Sequence, residues 1–354
     1  MNISNKNSLT IILQIRDRFE LSSRWLDFAY QKKCPYDIYV ADGSSNTDVK
    51  KYLNKEKLFR RLKIKYVKSK YDKTWKIYCN KIQLALNNIN TPYILLADDD
   101  DFYLFENIQK CIDRLDENKK LVSCGGQTVN FQILDGDVYG KKIEFIKKSQ
   151  NSYMSESILQ NIKLYFKNSP GIYYNIHRID YFKEAWGLSN NQNFKNARMT
   201  ELFIEMYLLT FGKNEFLSFP YYYRQFGKSV GNSSGHSHDF LDEMFKFNWY
   251  KDINNLFDII STKISKNEEI EFPEVKAQLF RGYKFFLRPW IINGINITGN
   301  SKGAIKSRKL MFKNALRSGN LKNCYQKISN VFTYFKILFN KKGNNLIISN
   351  FLKK

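Results

Sequence analysis

The chain of 354 residues predicts an α/β fold built on a mostly parallel sheet with helices on both faces, and three observations carry that expectation. Short apolar runs alternate with stretches of helical period through the first 125 residues. Two of the runs end in carboxylates, Asp42 and the tetrad Asp98-Asp99-Asp100-Asp101. Strands joined by helices at this pitch pair in parallel, and both faces of such a sheet are covered.

The elements follow in order. Leu9–Ile15 reads as a first strand, and Leu21, Trp25, Phe28, Ala29 and Lys32 then keep helical spacing, with Ser22 and Ser23 near the N-cap. Tyr36–Ala41 is a second strand that ends at Asp42-Gly43-Ser44-Ser45. Val49–Leu58 suits a short helix and Leu62–Val67 a third strand. Trp75, Tyr78, Cys79, Ile82, Ala85, Leu86 and Ile89 form an apolar stripe that leaves Lys76, Asn80, Gln83 and Asn87 on the other face. The run Tyr93–Ala97 is a fourth strand, followed by a helix over Asn107–Glu117 and a strand at Leu121–Cys124 before Gly125-Gly126. Beyond residue 130 the alternation fades, leaving Lys163–Tyr165 and Gly171–Ile176 as weaker strands. Met199–Phe211 is apolar almost all round and so reads as a buried helix, with Glu201 and Glu205 on one face. After Phe240 the pattern is helical throughout. The expected division is a body at residues 1–240 and a basic helical C-terminal region at residues 241–354.

Charge sharpens that division. The formal net charge is +23, and residues 275–354 hold 17 Lys/Arg with no Asp or Glu. The first 274 residues carry 40 basic and 34 acidic side chains, so the body is close to balance. Lys302, Lys306, Lys309, Lys313 and Arg317 fall a turn apart, and Leu321, Cys324, Ile328, Val331, Phe332, Phe335 and Phe339 form an apolar stripe after them. Basic amphipathic helices of this kind suit an anionic membrane surface. Cys34, Cys79, Cys111, Cys124 and Cys324 include no CxxC pair, which points to reduced, buried thiols and the cytoplasm. Leu9–Leu13 is too short for the apolar core of a signal peptide, and no run approaches the roughly 18–20 apolar residues of a spanning helix. The expected location is cytoplasmic, peripheral on the inner face of the membrane.

The tetrad carries the chemistry. Four carboxylates cannot all ionise side by side unless a cation or solvent offsets their repulsion. Hard oxygen donors at the C-terminal end of a strand suit Mg²⁺ or Mn²⁺, and that sheet edge is where open α/β folds bind ligands. With Asp42 on a neighbouring strand, the pair describes a nucleotide site, one acid for the base or ribose and one cluster for a metal on the diphosphate.

Val40-Ala41-Asp42-Gly43-Ser44-Ser45 followed by Leu96-Ala97-Asp98-Asp99-Asp100-Asp101 resembles the paired signature of bacterial family 2-like glycosyltransferases with the GT-A fold, over roughly residues 8–230. Trp186-Gly187, Thr200-Glu201, Gly212, Pro220 and Arg224 echo the acceptor side of that family. The resemblance implies a metal-dependent, inverting transfer of a sugar from a UDP-linked donor to a surface-glycan or lipid-linked acceptor. It places Asp42 and Ser44 on the uracil or ribose and Asp98 and Asp100 on Mn²⁺ or Mg²⁺. Asp98 and Asp99 lie beside the nucleotide, and Arg224 near the diphosphate. Glu201 is the implied general base, with Glu205 in reserve; where the family shows Glu-Asp, Leu202 follows Glu201 here. His236 or His238, in a loop of small residues, completes the metal shell in this reading. An Arg-Trp pair usual in the family is replaced by Arg224-Gln225-Phe226. His177 reads as structural.

Two other classes stand beside this one. A nucleic-acid-binding or two-metal phosphotransfer enzyme would use the basic tail as an electrostatic grip. The chain lacks a recognition motif for it, and no nucleic-acid partner is expected. A sugar nucleotidyltransferase needs a Gly-rich loop after the first strand, where Gln14-Ile15-Arg16-Asp17-Arg18 stands.

Overall fold

The computed structural model describes residues 8–148, 150–168, 171–194, 197–226, 249–298 and 342–353. The parallel half of the sheet forms as the alternation predicts. β1 (Leu9–Ile15) lies between β2 (Asp37–Asp42) and β4 (Tyr93–Asp98), and β3 (Ile64–Lys68) is the outer strand beside β2; all three pairings are parallel. The connections are α1 (Phe19–Gln31), α2 (Asp48–Lys55) with a 3₁₀ turn at Leu58–Arg60, and α3 (Trp75–Asn87). β5 (Phe102–Tyr103) and α4 (Phe105–Glu117) follow the acidic tetrad.

Beyond β4 the sheet becomes mixed. β8 (Ile176–Arg178) runs antiparallel to both β4 and β6 (Leu121–Ile133). β9 (Lys213–Gln225) pairs in parallel with β6, β5 antiparallel with β9, and β7 (Ile143–Lys148) antiparallel with β6. The expected stop at Gly125-Gly126 does not occur, because β6 runs straight through. A Cβ on Gly126 would stand 2.5 Å from Cβ of Tyr221, so this glycine lets β9 close in where its register shifts, while Gly125 makes room for the Asn175 side chain. The strand expected at Lys163–Tyr165 is instead part of α5 (Ile158–Asn168), whose Leu159, Ile162, Tyr165 and Phe166 are buried at helical spacing. A short apolar run does not distinguish the two states by itself.

Alternate residues of the buried strands serve opposite faces. Ile12, Ala41, Ile94 and Leu96 join one core with α3, α6 (Ile179–Gln192), α7 (Ala197–Leu209), α8 (Trp249–Glu268) and the first turns of α9 (Phe272–Thr298). Ile11, Leu13, Val40 and Leu95 join the other with α1 and α4. α10 (Lys342–Leu352) belongs to this second core: Ile348, Phe351 and Leu352 are buried, and Phe351 meets the rings of Phe28 and Phe102 at 5.2 and 5.7 Å. Cys34, Cys79, Cys111 and Cys124 are free and buried. Ser22 is not an N-cap; Arg18 holds that position, and Ser22 points inward from the first turn of α1. No helix among the described residues is long and apolar enough to cross a membrane. Phe351→Ala should lower the unfolding free energy by about 3 kcal/mol or more, as for other buried Phe truncations. Urea titration measures it, and a loss within experimental error would mean that α10 is not core.

Candidate active site

The C-terminal ends of β2, β1 and β4 form one edge. Asp42 and Asp98 are not on adjacent strands, as expected from sequence, but flank β1, in register with Ile15 and Gln14. Asp42 is 1% exposed and accepts from Tyr66 Oη and, at 2.7 Å, from the backbone N–H of Ser44; Lys68 Nζ stands 3.7 Å away. Ser44 Oγ accepts from the Asp17 N–H at 2.9 Å, which joins this loop to the segment after β1. Gly43 sits on a buried Asp72–Lys81 ion pair, so close that a Cβ would fall 2.1 Å from the Asp72 carboxylate. Lys81 also donates to the Ile15 carbonyl at 3.3 Å, so α3 braces the ends of both strands.

The tetrad divides by direction. Asp98 accepts from Gln14 and, at 2.6 Å, from Tyr174 Oη. Asp100 accepts from Arg18 Nη1 at 3.0 Å, and its carbonyl accepts from Arg24 Nη2 at 2.9 Å. Asp101 accepts from Tyr222 Oη and, at 2.8 Å, from the Gln225 N–H on β9. One carboxylate oxygen from each of Asp98, Asp100 and Asp101 lies within 4.8 Å of the others. Asp99 points elsewhere: it is wholly buried and accepts from Arg18 and, at 2.6 Å, from Ser22 Oγ.

Electrostatics follow from this crowding. Burial and then the charge of Asp100 push Asp98 up to about 6. Burial, Asp100 and Asp98 push Asp101 well above the carboxylate range, and burial raises Asp99. Burial opposes the charge of Arg18, but Asp99 and Asp100 outweigh it and hold its proton. Three hard oxygen donors at this spacing fit a small divalent cation. Arg224, exposed on β9, is held more firmly protonated by Tyr222 and Asp101 beside it.

Glu201 and Glu205 occupy different surroundings although one turn apart on α7. Glu201 is partly exposed and pairs with Arg198 at 3.3 Å. Its charge acts on Tyr174, the partner of Asp98, and on Arg224. Glu205 is 5% exposed and accepts from Tyr165 Oη and, at 2.8 Å, from the Tyr173 N–H; burial pushes its carboxyl up to about 7. Of the two glutamates on this face, the desolvated carboxylate is therefore Glu205, the reserve, and not Glu201, the implied base. His177 is buried, stacked on Phe182 at 4.8 Å and bonded to the Tyr173 carbonyl, in the structural role expected of it. His236 and His238 lie outside the described residues.

Sequence reading missed Arg18, Gln14, Tyr174, Tyr222 and the Tyr66–Lys68 pair. A polar Gln14 near the end of a buried strand was a usable signal. The tyrosines come from distant segments and give none.

Glu205 also sets a pH dependence. A carboxyl whose pKa in the folded chain exceeds its unfolded value keeps its proton only in the fold over the interval between the two. Stability therefore falls as pH rises through about 4.5 to 7 and levels off above. Glu205→Gln should remove up to about 3 kcal/mol of that decline. Denaturant titrations at pH 5 and pH 8 would show it, and an unchanged difference between the two pH values would refute the assignment.

Residues 22–185 match the family model described as "Glycosyl transferase family 2". No curated protein matches the sequence. Among solved structures, S. aureus TarS 1-349 in complex with UDP-GlcNAc superposes with a TM-score of 0.51 at 15% identity, over 83% of this chain and 76% of that one. TarS 1-349 in complex with UDP superposes with a TM-score of 0.50 at 14% identity, over 83% and 75%. These likenesses are of fold. The matched stretch includes Asp42 and the whole tetrad and stops before Glu201 and Arg224. Residues 22–185, which carry the Asp-Gly-Ser loop and the acidic strand end at one edge of such a sheet, are thus similar to family 2 glycosyltransferases, and the sheet with its helices is of the GT-A type.

Proposed function

We propose that the enzyme transfers a sugar from a UDP-linked donor to a hydroxyl of a surface-glycan or lipid-linked acceptor, with inversion and with Mn²⁺ or Mg²⁺. The observation that carries the metal is the convergence of Asp98, Asp100 and Asp101 within 4.8 Å. When bound, the cation would supply electrostatic stabilisation of the departing diphosphate. Asp98, Asp100 and Asp101 hold it, while Asp99 and Arg18 fix the direction of Asp100. Asp42, kept in place by Tyr66 and the Ser44 N–H, and Ser44 itself receive the base and ribose. Arg224 adds positive charge to the diphosphate side. UDP as the carrier is supported by the nucleotides in the two TarS complexes.

Inversion by direct attack needs one base at the acceptor hydroxyl. Glu201 takes that role because it is the more exposed of the two glutamates and its charge reaches Tyr174 and Arg224. Glu205 supports α7 through Tyr165 and Tyr173. The enzyme works at the membrane surface, and its basic C-terminal region contributes to that attachment.

Asp100→Asn should reduce metal-dependent hydrolysis of the nucleotide sugar by a hundredfold or more, roughly the scale of losing one key charge-stabilising group. Full turnover in that variant, or in EDTA, would remove the metal from the mechanism. Glu201→Gln should abolish transfer to acceptor while donor affinity stays within about twofold, since a base acts on the acceptor's proton alone. If Glu201→Gln transfers normally and only Glu205→Gln is dead, the assignment reverses.

A further inference from the structure

The charge of the body is not evenly spread. Residues 50–76 hold twelve Lys/Arg against Glu56 and Asp72, whereas the rest of the first 274 residues holds 28 basic and 32 acidic side chains. The whole positive excess of the body therefore lies between α2 and the first turn of α3, across the 3₁₀ turn and β3, the outer strand of the sheet.

Lysines on an outer strand commonly guard it against pairing with another chain, and that accounts for Lys65. It does not account for the turn before it. Lys57 adopts φ 54°, a left-handed conformation that a non-glycine residue enters at a cost. The turn is pinned by Leu58, 2% exposed, and this geometry sets Phe59 outward at 37% exposure between Lys57 and Arg60. Tyr30, also 37% exposed, stands near with Arg61 stacked on it at 4.9 Å. Lys51 and Lys55 project from α2 with 74% and 82% of their side chains exposed, Lys51 3.1 Å from the Asp48 carboxylate and Lys55 4.0 Å from that of Glu56. The turn and its flanks thus form a surface knuckle that exposes an aromatic ring among cationic side chains.

We propose that this knuckle, Lys57-Leu58-Phe59-Arg60 with the flanking cations of α2, docks the enzyme on an anionic phospholipid surface. Phosphate headgroups would meet Lys51, Lys55, Lys57 and Arg60, and the ring of Phe59 would enter the interface between headgroup and acyl chain. A nucleic acid would call for a groove that follows its backbone, and side chains this exposed do not line one. The site precedes the N-terminal end of β3, whereas the acidic edge lies at the C-terminal ends of the parallel strands. It thus holds whether or not the donor and acceptor assignments do.

The test uses the full chain, because α10 is core and truncation of the C-terminal region would disturb the fold. Co-sedimentation is measured with phosphatidylcholine vesicles with and without phosphatidylglycerol, at low and physiological salt. The triple variant Lys57→Glu, Phe59→Asp, Arg60→Glu should bind phosphatidylglycerol vesicles at least about tenfold more weakly. Its thermal midpoint and its hydrolysis of nucleotide sugar in solution should stay unchanged, which separates this inference from the enzymatic one. Phe59→Trp should show a blue-shifted emission difference on adding those vesicles. Undiminished sedimentation of the triple variant overturns the proposal. So does an emission unchanged by vesicles, or a loss confined to single-stranded DNA binding with vesicle binding intact.

Discussion

Everything at the acidic edge depends on holding four consecutive carboxylates at the end of a buried strand. Burial works against each negative charge, and the charges work against one another. Arg18 offsets the repulsion from one side, reaching both Asp99 and Asp100, while Arg24 anchors the intervening backbone through the Asp100 carbonyl. Arg24 is itself fully buried, and burial lowers its pKa to about 10 against the pull of the same acids. The pair of arginines comes from α1, so the packing of that helix on the sheet and the charge balance of the site are one problem.

The tetrad also shows why one strand end can serve both structure and chemistry. The strand ends at Asp98, and Asp99 and Asp100 form a turn in which the Asp101 N–H donates to the Asp98 carbonyl at 3.4 Å. Asp99 is turned into the protein and occupied by Arg18 and Ser22, while Asp98, Asp100 and Asp101 converge. Asp101 is tied to β9 through Tyr222 and the Gln225 N–H, and Asp98 to the segment before β8 through Tyr174. The irregular half of the sheet therefore supplies the walls of a site whose floor is the regular half.

That division explains what could be read from sequence. The parallel strands and the helices up to Leu121 were legible because burial on two faces imposes long apolar runs and a clear helical period, whereas the two-residue β5 was too short to show one. Asp42 and Asp98 were legible because acids interrupt those runs. Which glutamate of α7 is desolvated was not legible, since both lie on one helical face and only the approach of Tyr165 and Tyr173 separates them. The hydroxyls of Tyr66, Tyr174 and Tyr222 come to the acids across long stretches of chain, with no local pattern to announce them. The course of β6 through two glycines was lost for a related reason: glycine reads as a turn until a second strand is seen pressing against it.

The place of α10 has a temporal consequence. Phe28 and Phe102 belong to the first third of the chain, yet the ring that covers them, Phe351, arrives after some two hundred and fifty further residues. During synthesis the apolar surface beside Arg24 and the acidic strand end stays wet until that helix has emerged. Closure of this core is thus a late event in the life of each molecule. The basic segment that precedes α10 must already be outside the ribosome when the arginine-braced acids acquire their final surroundings.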